Sequence, residues 1–246
     1  MSLAYKFRFY FSFRSPFAGI AFYRLRRSAL FTDFAIEVIP VWPENIFGGH
    51  MDNPTDNLFK LAYVFADAAR QAEDAGLSAT YLRNIAKNIE LPKDVDYSKE
   101  KVGLKMPPEP WGVTHHAFLY AQEQGKGWEF GDSVFARRFD FDGQGSRDVM
   151  DPEVLGVIAS QVGLDVDDVQ NAYTSGRYGE AQAELTTMSE TDGVFGVPFF
   201  TFDRGVGRES FWGNDRLPDL YKTMTGADAV PSITADNLTE VQPARK

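Results

Sequence analysis

Three short stretches of this 246-residue chain set reactive or polar side chains where backbone polarity can assist them. Ser15-Pro16 joins a hydroxyl to a helix-starting residue. Val197-Pro198 puts an imide bond at the entrance to a strand, and Asn214-Asp215 brings an amide and a carboxylate to the start of a helical run. A helix start presents unpaired N–H groups and about half a positive charge, so a serine there can help hold an anion. Each stretch also has a plain structural reading. Ser15 and Asn214 are good N-caps without any ligand, and Val197-Pro198 can be an ordinary trans bond. No cysteine occurs in the chain. That excludes disulfides, thiolate metal sites and any cysteine nucleophile or dithiol couple of the chain's own. The histidines, His50, His115 and His116, form no metal-ligand spacing, and the adjacent pair reads as a helix surface.

The apolar pattern shows the elements that would carry these residues. Residues 7–13 alternate and are aromatic, as a strand does. They run straight into Ser15-Pro16, the N-cap and first position of a helix that continues to about residue 30. Residues 34–41 make a second, buried strand, and strand–helix–strand in this order predicts parallel pairing. Helical spacing then marks 58–75, 81–89, 111–124, 133–139, 152–162, 166–173 and 178–188. Residues 198–202 and 209–212 read as a hairpin, and 217–224 as a last helix. The expected organisation is an α/β domain split between residues 1–55 and 190–230. A helical insertion fills 56–189, and a loose tail poor in large apolar side chains covers 231–246. The two ends must meet in one sheet, because the first strand–helix unit cannot bury both its faces alone.

Charge and length narrow the function class. Lys and Arg number 25 against 35 Asp and Glu, a net charge of −10, which repels a polyanion. Only short basic clusters interrupt this, Arg24, Arg26, Arg27 and Arg137, Arg138, and both read as solvated faces. Nucleic acid is therefore not an expected partner. No apolar run approaches the roughly 18–20 residues that span a bilayer. The opening segment, broken by Lys6, Arg8 and Arg14, makes a poor secretory leader. The expectation is a cytoplasmic protein without membrane association.

Order and spacing say more than any stretch singly. A strand–Ser-Pro–helix at the front, with Gly-Val-Pro before a late hairpin, resembles the thioredoxin superfamily with a helical insertion, in the manner of the disulfide-exchange protein DsbA. Within it, the chain resembles the 2-hydroxychromene-2-carboxylate isomerases and their relatives, the kappa-class glutathione transferases. The residues that carry the likeness begin with Phe9-Tyr10-Phe11 through Ser15-Pro16-Phe17, then Lys60, Tyr63 and Asp67. They continue with Met106-Pro107-Pro108, Gly193-Val194-Phe195-Gly196-Val197-Pro198-Phe199 and Phe211-Trp212-Gly213-Asn214-Asp215-Arg216-Leu217. Most of the chain is covered.

The resemblance implies a thioredoxin-like fold with a large all-helical insertion, glutathione as cofactor, a small aromatic acid as substrate and a homodimer. Ser15 stands in the place of a dithiol enzyme's first cysteine and Ala18 in that of its second. On this resemblance Ser15 is the catalytic residue and stabilises glutathione's thiolate. Val197, across a cis bond to Pro198, pairs with the cysteinyl part like a short antiparallel strand. Asn214 and Asp215 receive the γ-glutamyl carboxylate and ammonium, Lys60 another carboxylate, and Asn53 helps hold the tripeptide. The implied reaction is cis–trans isomerisation, in which a thiolate adds to a conjugated C=C, the bond rotates, and elimination returns the thiolate. Two features depart from the family pattern. The stretch between Gly76 and Met106 carries extra residues, and Arg14 replaces a small or apolar residue beside Ser15. Two alternatives stay open: a kappa-like transferase or peroxidase, and a cysteine-free thioredoxin-fold protein that binds thiols or peptides without turnover.

Overall fold

A computed structural model of the chain describes residues 5–43, 57–90, 112–205 and 207–239. Asn53, His50 and Met106-Pro107-Pro108 lie outside them, as do residues 91–105 of the extra stretch before Met106. Strand β1 (Tyr5–Phe11) leads through a short turn into helix α1 (Pro16–Arg27) and then strand β2 (Phe34–Pro40). β1 and β2 pair in parallel from Tyr5↔Phe34 to Phe11↔Pro40, as the strand–helix–strand order predicts. The ladder stops at Pro40, and Ser12 already belongs to the turn, where its carbonyl accepts from the Ser15 N–H at 3.0 Å. Strand β1 therefore ends two residues before the aromatic pattern does.

Among the described residues seven helices follow: α2 (Leu58–Asp74), α3 (Thr80–Asn88), α4 (Gly112–Glu123), α5 (Gly127–Phe139), α6 (Pro152–Gln161), α7 (Val166–Thr174) and α8 (Gly179–Thr191). The chain then returns as strand β3 (Phe199–Asp203), strand β4 (Arg208–Trp212) and helix α9 (Leu217–Thr225). The sheet order is β2-β1-β3-β4, with β3 antiparallel to both its neighbours. The chain's two ends do meet in one sheet, giving a thioredoxin-like fold with a helical insertion. Helix α5 begins six residues earlier than periodicity predicts, because Gly127 and Gly131 read as breakers. Gly131 is instead a contact residue: a Cβ there would lie 2.5 Å from the Phe22 ring of α1.

The alternation of β1 sorts its side chains onto two faces. Phe7, Phe9 and Phe11 join Phe22 of α1, Phe118 of α4 and Phe135 of α5 in the main core. Tyr10 faces the other way, with Ile39, Val41, Val194 and Phe199 beneath Leu185 and Met188 of α8. Each such large apolar side chain contributes about 1.5–3 kcal/mol through burial.

Three expectations need correction. The adjacent histidines are not a helix surface: His115 is fully buried, its ring 4.9 Å from Trp42 and 5.4 Å from Phe13, and half-buried His116 meets Gln182 at 2.8 Å. The cluster Arg24, Arg26, Arg27 is not a solvated face either. Arg26 and Arg27 converge on Asp132 at 2.6 and 2.7 Å, and Arg24 is buried. Nor is residue range 231–239 loose. Ile233 is buried, Leu238 bridges Ser28, and the Thr239 N–H donates to the Arg27 carbonyl at 3.1 Å. Among the described residues no helix is long and apolar enough to cross a membrane.

Candidate functional site

Strand polarity brings the three stretches to one place. β1 ends at Phe11, β3 starts beside it with Phe199 opposite Tyr10, and β4 ends with Trp212 opposite Phe199. The loops that follow β1, precede β3 and follow β4 therefore lie at the same end of the sheet.

Ser15 is the N-cap of α1. Its Oγ accepts the Ala18 N–H at 3.2 Å, and Pro16 occupies the first turn, where a missing N–H is no loss. The same hydroxyl donates to the Val197 carbonyl at 3.3 Å, across 182 residues of sequence. The Val197-Pro198 bond is cis. The Val197 N–H has no partner among the described residues. Gly196 beside it lies close under Trp212, since a Cβ there would stand 2.7 Å from the Trp212 indole nitrogen. Phe195 and Trp212 remain about half exposed and meet edge to face at 5.1 Å.

The third loop is tied to the second, because the Gly213 N–H donates to the Pro198 carbonyl at 3.0 Å. Next comes a 3-10 turn, Asn214–Arg216, leading into α9. Asn214 does not present its side chain to this end of the molecule. It is 1% exposed, its Oδ1 accepts from Arg24 Nη1 at 2.6 Å, and its Nδ2 donates to Gln71 Oε1 at 2.7 Å. Gln71 in turn donates to Asp67 at 2.7 Å, and Asp67 also binds Arg70. Of the Lys60, Tyr63, Asp67 set, Asp67 thus reaches the candidate site through Gln71 and Asn214. Asp215 is exposed, its carboxylate 3.3 Å from Arg216. Lys60 is exposed in the first turn of α2, which Asn57 caps. Asn53 falls outside the described residues.

Two buried polar groups that the sequence reading passed over hold these loops. Arg24 is one; burial pulls its guanidinium below the ordinary value. Asp192 is the other, immediately before the 193–198 loop. Its carboxylate accepts from Tyr10 at 2.5 Å, Arg8 at 2.9 Å, Thr201 at 3.1 Å and also Arg208. Arg8 and Tyr10 stand two apart on β1, a spacing that shares one face, but nothing local points to residue 192. A cavity of about 490 Å³ opens elsewhere, between α1 and α5, lined among others by Tyr23, Arg27, Asp132 and Phe141. It includes none of Ser15, Val197 or Asn214.

A tripeptide thiol fits part of this arrangement. Ser15's hydroxyl, the unpartnered Val197 N–H and the exposed Asp215 carboxylate suit a thiolate, a peptide carbonyl and an ammonium in turn. The Asn214 side chain does not fit, because both its ends are engaged.

Residues 7–225 match the model of the DSBA-like thioredoxin domain. No curated protein matches the chain. Among solved structures, a 2-hydroxychromene-2-carboxylate isomerase is similar with a TM-score of 0.63 and 21% identity, over 89% of this chain and 94% of that one. A probable DsbA oxidoreductase from Streptomyces coelicolor is similar with a TM-score of 0.56 and 15% identity, over 92% of each chain. The cytosolic disulfide reductase DsbM from Pseudomonas aeruginosa, in a structure with GSH, has a TM-score of 0.55 and 14% identity over 89% and 96%.

Proposed function

We propose that this chain, which belongs to the DSBA-like thioredoxin domain family, is a glutathione-dependent cis–trans isomerase of a small aromatic acid, working in the cytoplasm as a homodimer. The observation that carries the reading is the contact between Ser15 and Val197 at the start of α1, in a chain with no cysteine. A thiol-handling fold without a thiol of its own must take its sulfur from outside. The structural relative solved with GSH supports tripeptide binding in this fold.

Ser15 carries one hydroxyl proton, held at the Val197 carbonyl at 3.3 Å. That is longer than the 2.5–3.0 Å typical of O–H···O bonds, so a stronger acceptor can draw the proton away at little cost. A thiolate is such an acceptor, and bonds to charged groups are the stronger kind. The start of α1 adds N–H polarity of the same sign. Together these hold sulfur deprotonated near neutral pH, the main demand that such a nucleophile makes on a protein. Glutathione, when bound, supplies a thiolate that adds reversibly to a C=C conjugated with a carbonyl, so that the carbon–carbon bond can rotate before the thiolate leaves. Val197's free N–H orients the cysteinyl segment, and Asp215 suits the ammonium of the γ-glutamyl end. Lys60, exposed near the start of α2, suits a carboxylate of tripeptide or substrate.

The test follows glutathione stoichiometry during turnover of a cis-configured aromatic oxo-acid. An isomerase converts many equivalents and leaves total glutathione unchanged. Consumption of glutathione would indicate the transferase or peroxidase reading. Absence of saturable binding by calorimetry would indicate a non-catalytic binding protein.

A further inference from the structure

A buried cation is ordinarily paired with an anion, because taking it out of water is costly. This chain follows that rule elsewhere. Arg26 and Arg27, whose side chains are 11% and 16% exposed, share Asp132. Arg24 departs from it. The residue is 7% exposed, yet its guanidinium meets only neutral acceptors. Nη1 donates to Asn214 Oδ1 at 2.6 Å, Nη2 to the Gln71 carbonyl at 3.5 Å, and Nε is buried without a partner. Among the described residues no carboxylate touches it. Asp74 and Asp215 act on it only through space.

The neutral group it grips most closely is the first residue of the turn that also carries Asp215. Gln71 holds the other end of the same amide at 2.7 Å, and Asp67 holds Gln71. Arg24 thus fixes the turn with a guanidinium that, among the described residues, makes no direct ion pair. An anion arriving at that turn gains attraction to a cation whose only anionic neighbours, Asp74 and Asp215, act on it without contact. On the reading of the site given above, we infer that Arg24 is a positioning residue that selects the γ-glutamyl end of the tripeptide. It orients the turn through Asn214, and its charge favours the carboxylate docked there.

The experiment titrates the full chain by calorimetry with glutathione and with cysteinylglycine, which lacks the γ-glutamyl group. The wild-type protein should favour glutathione by about tenfold or more, the factor expected of one additional charge-assisted contact. Arg24→Met should remove most of that preference while leaving cysteinylglycine affinity within about twofold, since only the γ-glutamyl contact is lost. A folded Arg24→Met protein that keeps the preference, or loses affinity for both peptides equally, overturns the inference. Should circular dichroism show that Arg24→Met does not fold, Asn214→Ala removes the same contact. Loss of preference then supports the inference, and an unchanged preference overturns it. A wild-type protein that binds neither peptide contradicts the glutathione reading and this inference with it. One that binds glutathione no better than the dipeptide contradicts the inference alone.

Discussion

Two buried polar clusters hold the Val197 loop and the Asn214 turn, and they are built in opposite ways. Asp192 anchors the loop carrying Val197 with a carboxylate whose side chain is 1% exposed and which meets two arginines, a phenol and a threonine hydroxyl. Burial alone would push its carboxyl up. The bonds from Tyr10 and Arg8 outweigh burial and hold it below the usual carboxylate value. Burial and the bond to Asp192 push the Tyr10 phenol well up, so both partners keep their working protonation states across the physiological range. Arg24 anchors the turn carrying Asn214 with a buried cation that meets only amide oxygens. One cluster is saturated and locks a backbone segment in place. The other holds a segment with a cation that makes no direct ion pair among the described residues. Charge compensation therefore separates a polar group buried for rigidity from one suited to recognition.

The largest expected effect is at the saturated cluster. Asp192→Ala strands the buried Tyr10 and Thr201 hydroxyls, at about 1–3 kcal/mol each, while Arg8 keeps Glu37 and Arg208 keeps Asp203. Urea unfolding measures this, and a cost no greater than that of an exposed residue would remove the basis of the contrast. The pH dependence has a definite sign. Asp192's folded pKa lies below its unfolded value, so its contribution is full above roughly pH 4 and fades as pH falls through the folded value. The stability gap between wild type and Asp192→Asn should accordingly narrow in acid and stay flat from pH 5 to about 8.

Arg24→Met should cost less, about 1–3 kcal/mol for the stranded Asn214 oxygen. Exchanging a buried charge for an apolar side chain is itself often neutral. Equal losses at Arg24 and Asp192 in the same urea series would show that the two clusters do one job. The smallest effect belongs to Gly196→Ala. Its Cβ would press on the Trp212 ring at 2.7 Å, but that ring is half exposed and can swing away. The cost should fall at the low end of the roughly 1–3 kcal/mol of overpacking, with a visible change in tryptophan emission. Unchanged emission would mean that the ring does not rest on Gly196.

Most of the fold was legible because local periodicity and caps decide it. Pro16, Pro152 and Val166 begin their helices where the Ser15, Asp151 and Asp165 caps place them. The sheet followed from the aromatic alternation of β1 and the hairpin at the end. At the site, the resemblance singled out Ser15 and Val197 as tripeptide-binding residues, and the structure adds a bond between them. What stayed hidden was the fate of polar side chains whose partners are remote in sequence. Arg24 reaches Asn214 across 190 residues, and Tyr10 reaches Asp192 across 182. No spacing rule covers such separations, so Arg24 looks like any basic residue near a helix end. Asn214 looks like an open cap for the same reason, although Arg24 and Gln71 engage its side chain. His115 was misread because a polar residue beside His116 suggests a surface, whereas Trp42 and Phe13 enclose it.

The account depends on a hydroxyl at residue 15 that lowers the pKa of a borrowed thiol. The direct measurement is the ultraviolet thiolate absorbance of bound glutathione, followed against pH in wild type and Ser15→Ala. Wild type should ionise the thiol well below its free value. The variant should raise the bound pKa by about one to two units, the equivalent of one hydrogen bond to a charged group, with affinity little changed. Superimposable titration curves for the two proteins would contradict the account and leave Ser15 a helix cap.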